Sequence, residues 1–154
     1  PELMHRIGGI EKEDGSGNIS YDPENHGYMV DLRQERIQKV NVPDLEVDGD
    51  QDFELLVVGW GSTWGAIKGA VGRACKDGYK IGHVHLRHIN PLPNNLGDLL
   101  SKATKVLVPE MNLGQLSKII RAEYLIDAKS ITKVKGVPFT AGELDHVFRE
   151  ALDD

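Results

Sequence analysis

A glycine-rich turn, Gly59-Trp60-Gly61-Ser62-Thr63-Trp64-Gly65, follows the apolar run Phe53 to Val58 and precedes a helical pattern. Backbone N–H groups at such a strand-to-helix turn can cradle a phosphate, and the helix dipole adds partial positive charge there. The spacing Gly59-x-Gly61-x-x-x-Gly65 is one residue longer than the strict dinucleotide fingerprint. The next apolar run ends in Leu86-Arg87, with no Asp or Glu to hold a ribose. A nucleotide reading therefore uses the turn for phosphate and Arg87 for a 2′-phosphate, as for NADP, or for coenzyme A. The competing reading is a turn built for helix–sheet packing or a subunit contact. Trp60 and Trp64 favour packing, since large apolar groups at a loop suit an interface better than a phosphate cradle. Ser62 or Thr63 is expected to cap the following helix.

His83, His85 and His88 form a second group. Residues two apart in a strand share a face, so His83 and His85 can reach one metal ion. No Cys or carboxylate stands near them in sequence as a further ligand, and unmetallated imidazoles under a helix or at a subunit contact are the expected state. Two acidic stretches imitate calcium loops. Asp48-Gly49-Asp50-Gln51-Asp52 has Phe53 where the loop needs Gly, and Asp14-Gly15-Ser16-Gly17-Asn18 has Ile19 there, so both are read as solvated turns. Glu110 and Asn112 follow a further apolar run. Open α/β sheets place their sites at the carboxyl ends of parallel strands. Gly59, Gly61, Ser62, Thr63, Arg87, Asn90, Glu110 and Asn112 are thus expected on one rim, open to a ligand or a partner. No Ser/His/Asp or Cys/His arrangement is recognisable, so no catalytic residue is expected.

The 154 residues carry a formal charge of −6, which argues against nucleic acid or an anionic membrane surface as partner. No apolar run is long enough to cross a bilayer, and no signal-peptide pattern opens the chain. One cysteine, Cys75, excludes an internal disulfide and any iron–sulfur or zinc site built from this chain's cysteines alone. The cytoplasm is the expected compartment. Pro1 stands where an initiator Met would be, and a piece of a longer protein is expected.

The elements that must position these residues follow from pattern. Asp22-Pro23-Glu24 is a helix start, with a capping Asp and Pro at the first helical position. The helix should run to about Val40, with Met29, Leu32 (or Arg33), Ile37 and Val40 near one face and Pro43 as its stop. Residues 1–44 are read as a linker and helix from a preceding domain, and 45–154 as one α/β domain. Strands are expected at 53–58, 81–86, 106–108 and 131–134, with Leu45-Glu46-Val47 as a short edge strand. Helical stripes comprise Ile67, Ala70, Val71, Ala74 and Cys75, then Leu96, Leu99, Leu100 and Ala103. Leu113, Leu116, Ile119 and Ile120 form a third, and Leu144, Val147, Phe148 and Ala151 a fourth. Strands alternating with helices predict a three-layer α/β/α sandwich around a mostly parallel sheet.

Several longer segments resemble a known family. His5-Arg6-Ile7-Gly8-Gly9 with Glu11-Lys12-Glu13 and Asp22-Pro23-Glu24-Asn25-His26 resembles the middle of the α subunit of 2-oxoacid:ferredoxin oxidoreductases, particularly the 2-oxoglutarate type. Val58-Gly59-Trp60-Gly61-Ser62-Thr63, His85 to Pro93 and Val108 to Leu116 resemble that subunit's carboxy-terminal domain. More distantly they are similar to the carboxy-terminal domain of transketolase-like enzymes. The resemblance implies a five-stranded mixed sheet with a short antiparallel first strand, here Leu45-Glu46-Val47. It implies an enzyme that oxidatively decarboxylates a 2-oxo acid to the acyl-CoA, using thiamine diphosphate, Mg²⁺, iron–sulfur clusters and coenzyme A. The implied partners are the remainder of the α subunit, a β subunit and ferredoxin. The family's diphosphate motif is missing: Glu13-Asp14-Gly15 and Asn94-Asn95 imitate it at the wrong separation. A non-catalytic scaffold and subunit-interface domain that binds no cofactor itself is the implied role.

Overall fold

The computed structural model describes residues 8–153. The His5-Arg6-Ile7 part of the family-like segment lies outside them. The chain divides into two compact units, Pro1–Asn41 and Val42–Asp154.

In the first unit, an antiparallel bridge between Lys12 and Ile19 closes a tight hairpin. Gly15 and Gly17 turn it with φ of +78° and +71°, which makes the Asp14–Asn18 stretch a turn. Helix α1 spans Pro23–Gln38 and is capped by Asp22, whose carboxylate accepts from the Glu24 amide at 3.0 Å. The Asn25 carboxamide clamps hairpin to helix, accepting from Asp14 N and donating to Lys12 O. The expected apolar face is not buried within this unit. No α1 residue is buried, and the helix ends before both Val40 and Pro43.

The second unit is built on a five-stranded sheet in the order β1-β3-β2-β4-β5. The strands are β1 (Asp48–Gly49), β2 (Leu55–Trp60), β3 (Ile81–Leu86), β4 (Lys105–Glu110) and β5 (Ala128–Thr132). All neighbours are parallel except β1, which runs antiparallel to β3 with Asp48 opposite His83 and Gly49 opposite Gly82. Helix α2 (Trp64–Lys76) follows β2 through a 3₁₀ turn at Gly61–Thr63. Helices α3 (Leu96–Lys102), α4 (Gln115–Tyr124) and α5 (Ala141–Asp153) complete the unit.

Alternation along the strands divides the core into two. Leu55, Val57, Ile81 and Leu107 pack under α2 and α5 with Ile67, Ala70, Leu144 and Phe148. Leu56, Val58, Val84, Val106 and Val108 pack under α3 and α4 with Leu96, Leu100, Leu116 and Ile120. Burial on both faces is why the central strands read as unbroken apolar runs. The expected three-layer sandwich with its antiparallel first strand is the observed architecture.

Three boundaries differ from expectation. The edge strand is Asp48–Gly49, not Leu45-Glu46-Val47. Leu45 instead bonds to the Asn95 side chain, and the chain first pairs with β3 at Asp48 and Gly49, where Gly49 (φ +106°) lets backbone lie against Ile81 O. The last strand is Ala128–Thr132, not 131–134: only Ala128 is buried in this edge strand, so it lacks an apolar signature. Leu113 precedes α4 and is exposed, whereas Leu116 and Ile120 carry the buried stripe.

Candidate functional site

Gly59 faces α2, and a Cβ there would lie 2.6 Å from Ile67 Cδ1, 2.8 Å from His85 Nδ1 and 3.0 Å from His83 Nε2. Glycine is therefore required by close approach. Gly61 is required by conformation, with φ of +57°. Gly65 meets neither demand, since it sits in the first turn of α2 with open space around it. The expected cap is also absent. The Thr63 hydroxyl turns back to Trp60, donating to its carbonyl at 2.8 Å and accepting from its amide at 3.3 Å. Thr63 thus locks the turn. Ser62 is exposed, its hydroxyl 3.6 Å from the Met111 sulfur.

His83 and His85 share the α2 face of β3, as period two requires. Their rings meet edge to face with centroids 5.6 Å apart. His83 is 1% exposed, and neither of its ring nitrogens has a hydrogen-bond partner. His85 Nε2 lies 3.2 Å from Gly61 O and must donate to it, which leaves Nδ1 as a bare acceptor with no partner. Burial pushes the His83 pKa down to about 4, helped by His85 and Lys68 and opposed by Asp48. Burial also lowers His85. Both rings are neutral near pH 7. Among the described residues no group of three or more His, Cys, Asp or Glu is placed to hold a metal ion.

A cavity of about 530 Å³ opens beside these rings, between the Pro43–Asp48 segment and the carboxyl half of β3. Lys68, Arg87 and His88 supply its basic wall, and Asp44 and Glu46 its acidic one. A second cavity, of about 550 Å³, is lined by Trp60, Gly61, Leu86 and Ile89 and shares Trp64, His85 and Arg87 with the first. Trp64 is 50% exposed, with Lys68 Nζ 5.2 Å from its ring centroid. Lys68 also pairs with Asp48 at 3.2 Å.

The structure thus brings Gly61 and Arg87 to one cleft and exposes Asn90 on the loop beyond. It removes Glu110 from the expected rim. Glu110 faces the opposite side of the sheet, is 0% exposed, and accepts from Leu116 N at 2.8 Å and Ser117 N at 3.1 Å. Its carboxylate satisfies the orphan amides at the start of α4. Asn112 is spent in a turn, its Oδ1 accepting from Gly114 N and Gln115 N. Sequence reasoning missed Lys68 and the Pro43–Val47 wall. Lys68 lies four residues after Trp64, a spacing that could have paired them on one helical face.

The groups implied by resemblance do not fit these residues. The Asn95 carboxamide is already paired with Leu45, and Asp14 belongs to the hairpin of the other unit. Cys75 is the sequence's single cysteine, and its thiol donates to Ile81 O at 3.4 Å. Among the described residues neither a diphosphate–Mg²⁺ site nor a cysteine-ligated cluster has a ligand set.

The fold and cleft define a three-layer α/β domain with its accessible groups at the carboxyl edge of β2 and β3. Residues 54–144, more than half of the chain, match the model of the pyruvate:ferredoxin oxidoreductase core domain II. The chain belongs to that family. It is 54% identical over 153 residues to the 2-oxoglutarate oxidoreductase subunit KorA of Mycobacterium tuberculosis, covering 99% of this chain and 23% of the relative. It is 34% identical over 114 residues to the 2-oxoglutarate synthase subunit KorA of Methanocaldococcus jannaschii, 73% of this chain and 30% of that one. Among solved structures, it superposes with a TM-score of 0.84 and 30% identity on 2-oxoglutarate:ferredoxin oxidoreductase from Magnetococcus marinus, solved with 2-oxoglutarate, coenzyme A and succinyl-CoA bound. That match covers 97% of this chain and 27% of the other. The chain spans about a quarter of the length of such relatives.

Proposed function

We propose that this chain is the carboxy-terminal part of the α subunit of a 2-oxoglutarate-type 2-oxoacid:ferredoxin oxidoreductase. Residues 1–44 serve as linker and helix from the preceding domain, and 45–154 as a scaffold that packs against the remainder of the α subunit and a β subunit. The parent enzyme oxidatively decarboxylates a 2-oxo acid to its acyl-CoA and passes electrons to ferredoxin. Thiamine diphosphate, Mg²⁺ and iron–sulfur clusters belong to its other parts. The observation that carries this reading is the 0.84 TM-score over 97% of the chain, joined to 54% identity along the Mycobacterium tuberculosis subunit.

What this chain supplies is surface and support. Trp64 and the Arg87–Asn90 loop stand exposed at the carboxyl edge, above a core whose glycine turn is locked by Thr63 and His85. The test is co-expression of the full α subunit, or one truncated before residue 45, with its β subunit. Truncation is expected to abolish co-purification and 2-oxoglutarate-dependent reduction of ferredoxin. A truncated complex that assembles with full activity overturns the proposal, as does turnover by this chain alone with a one-electron acceptor.

A further inference from the structure

We propose that the amino edge of the sheet pairs two copies of this chain, with Leu125 of each copy seated in a cavity of the other. Leu125 caps the carboxyl end of α4 and is 89% exposed; among the described residues no large apolar side chain is more so. Its backbone is left-handed, with φ of +55°, and no other described non-glycine residue has a positive φ. That conformation crowds Cβ against the backbone and is disfavoured for leucine. One residue thus carries both exposure and strain, and neither serves the packing of this chain. The turn is nevertheless firmly held. Leu125 N donates to Arg121 O at 3.0 Å, and the Arg121 guanidinium donates to Ala128 O at 3.2 Å and pairs with Asp127. The leucine is held out in place, so little freedom is lost when it docks.

The receiving site lies at the same edge. A cavity of about 420 Å³ opens where β4 and β5 begin, against the last turns of α5. Leu107, Val147 and Ala151 give it an apolar lining, and Lys105 Nζ, donating to Ala151 O at 2.6 Å, ties the start of β4 to α5 beside it. Asp127 lines the cavity two residues on from Leu125, so the leucine stands next to a socket that it does not itself fill. A two-fold axis between the two exchanges the leucines, and each contact then forms twice. Charge selects a second copy as the occupant. Lys105 and Lys129 stand on the cavity wall with Asp127 and Glu150, so a surface of both signs can meet its own rotated image with opposite charges opposed. Trp64 and Arg87, at the carboxyl edge, stay open in such a pair, and the pairing does not depend on the 2-oxoacid reading.

Sedimentation equilibrium of this chain tests the pairing. A reversible step from 17.0 kDa to twice that mass is expected, with a dissociation constant in the micromolar range. Leu125→Gly should weaken the dimer about tenfold or more, and Val147→Trp, which fills the socket, should do the same with Leu125 intact. Mixed in equal amounts, the two variants restore one leucine and one open socket, so their heterodimer should be tighter than either homodimer. At a dilution where every species is monomeric, Leu125→Gly should also melt higher than wild type, because glycine takes the left-handed turn without strain. A chain that stays monomeric up to millimolar concentration, a Leu125→Gly dimer as tight as wild type, or a mixture no tighter than the separate variants overturns the inference. So does a lower melting point for monomeric Leu125→Gly, which would make Leu125 part of this chain's own packing.

Discussion

The side chain of Asn95 completes a strand-like bridge with the backbone of Leu45, accepting from its amide and donating to its carbonyl at 2.9 Å each. Fifty residues apart in sequence, the two fix the segment that leads into the edge strand and forms one wall of the cleft.

Removing that bridge leaves two half-buried backbone groups without partners. Asn95→Ala is expected to cost about 1–3 kcal/mol, and Asn95→Asp to cost as much, because it keeps the acceptor but sets a carboxylate against the Leu45 carbonyl. Thermal unfolding reads the cost, and amide exchange at Leu45 should speed up in both variants. Wild-type protection of that amide would show that the bridge is not what holds the segment.

Gly59 makes a second test of packing. Its backbone is not in the left-handed region, so Gly59→Ala pays in sterics alone, with Ile67 Cδ1 only 2.6 Å from the new methyl. The expected loss is about 1–3 kcal/mol. Ile67→Val removes that Cδ1, so it should cost about 1 kcal/mol alone and markedly less when Gly59 is already Ala. Urea denaturation of the four proteins in this cycle measures the coupling, and strict additivity would contradict the contact.

His83 predicts an acid limit to stability. Its folded pKa is about 4 against an ordinary 6.5, so between those values the unfolded chain binds the extra proton and unfolding is favoured. Stability is therefore whole above about pH 6.5 and falls as pH drops toward 4, by about 3 kcal/mol in all. Glu11 and Glu143 are held near 2 by hydrogen bonds from Arg33 and Lys133, so their losses begin only below about 4.5. The window above 4.5 isolates the histidines. His83→Leu is expected to flatten the stability–pH curve there, and a slope unchanged by the substitution would refute buried neutral His83 as its cause.

The regular part of this domain could be read directly. β3 lies at Ile81–Leu86, and the stripe Ile67, Ala70, Val71, Ala74 faces the core, because apolar period and strand length follow from burial on both faces of a parallel sheet. Asp22 and Pro23 announced α1 through local cap chemistry. The edges were less legible. β1 and β5 bury little side chain, so no apolar alternation marks them, and their positions depend on backbone contacts to β3 and β4.

The roles of the polar residues were decided only by the tertiary structure. Glu110 and Arg87 both follow apolar strands and both read as rim residues. Yet the register of β4 turns Glu110 under α4 as a buried cap, while the end of β3 leaves Arg87 open at the cleft. Asn95 occupies the N-cap position of α3, yet its side chain is spent on a bridge to Leu45. Local sequence carries propensity and period, and those specified the layers. Which carboxylate is spent on orphan amides and which cation stays free depends on what packs across from it, and that is set by residues tens of positions away.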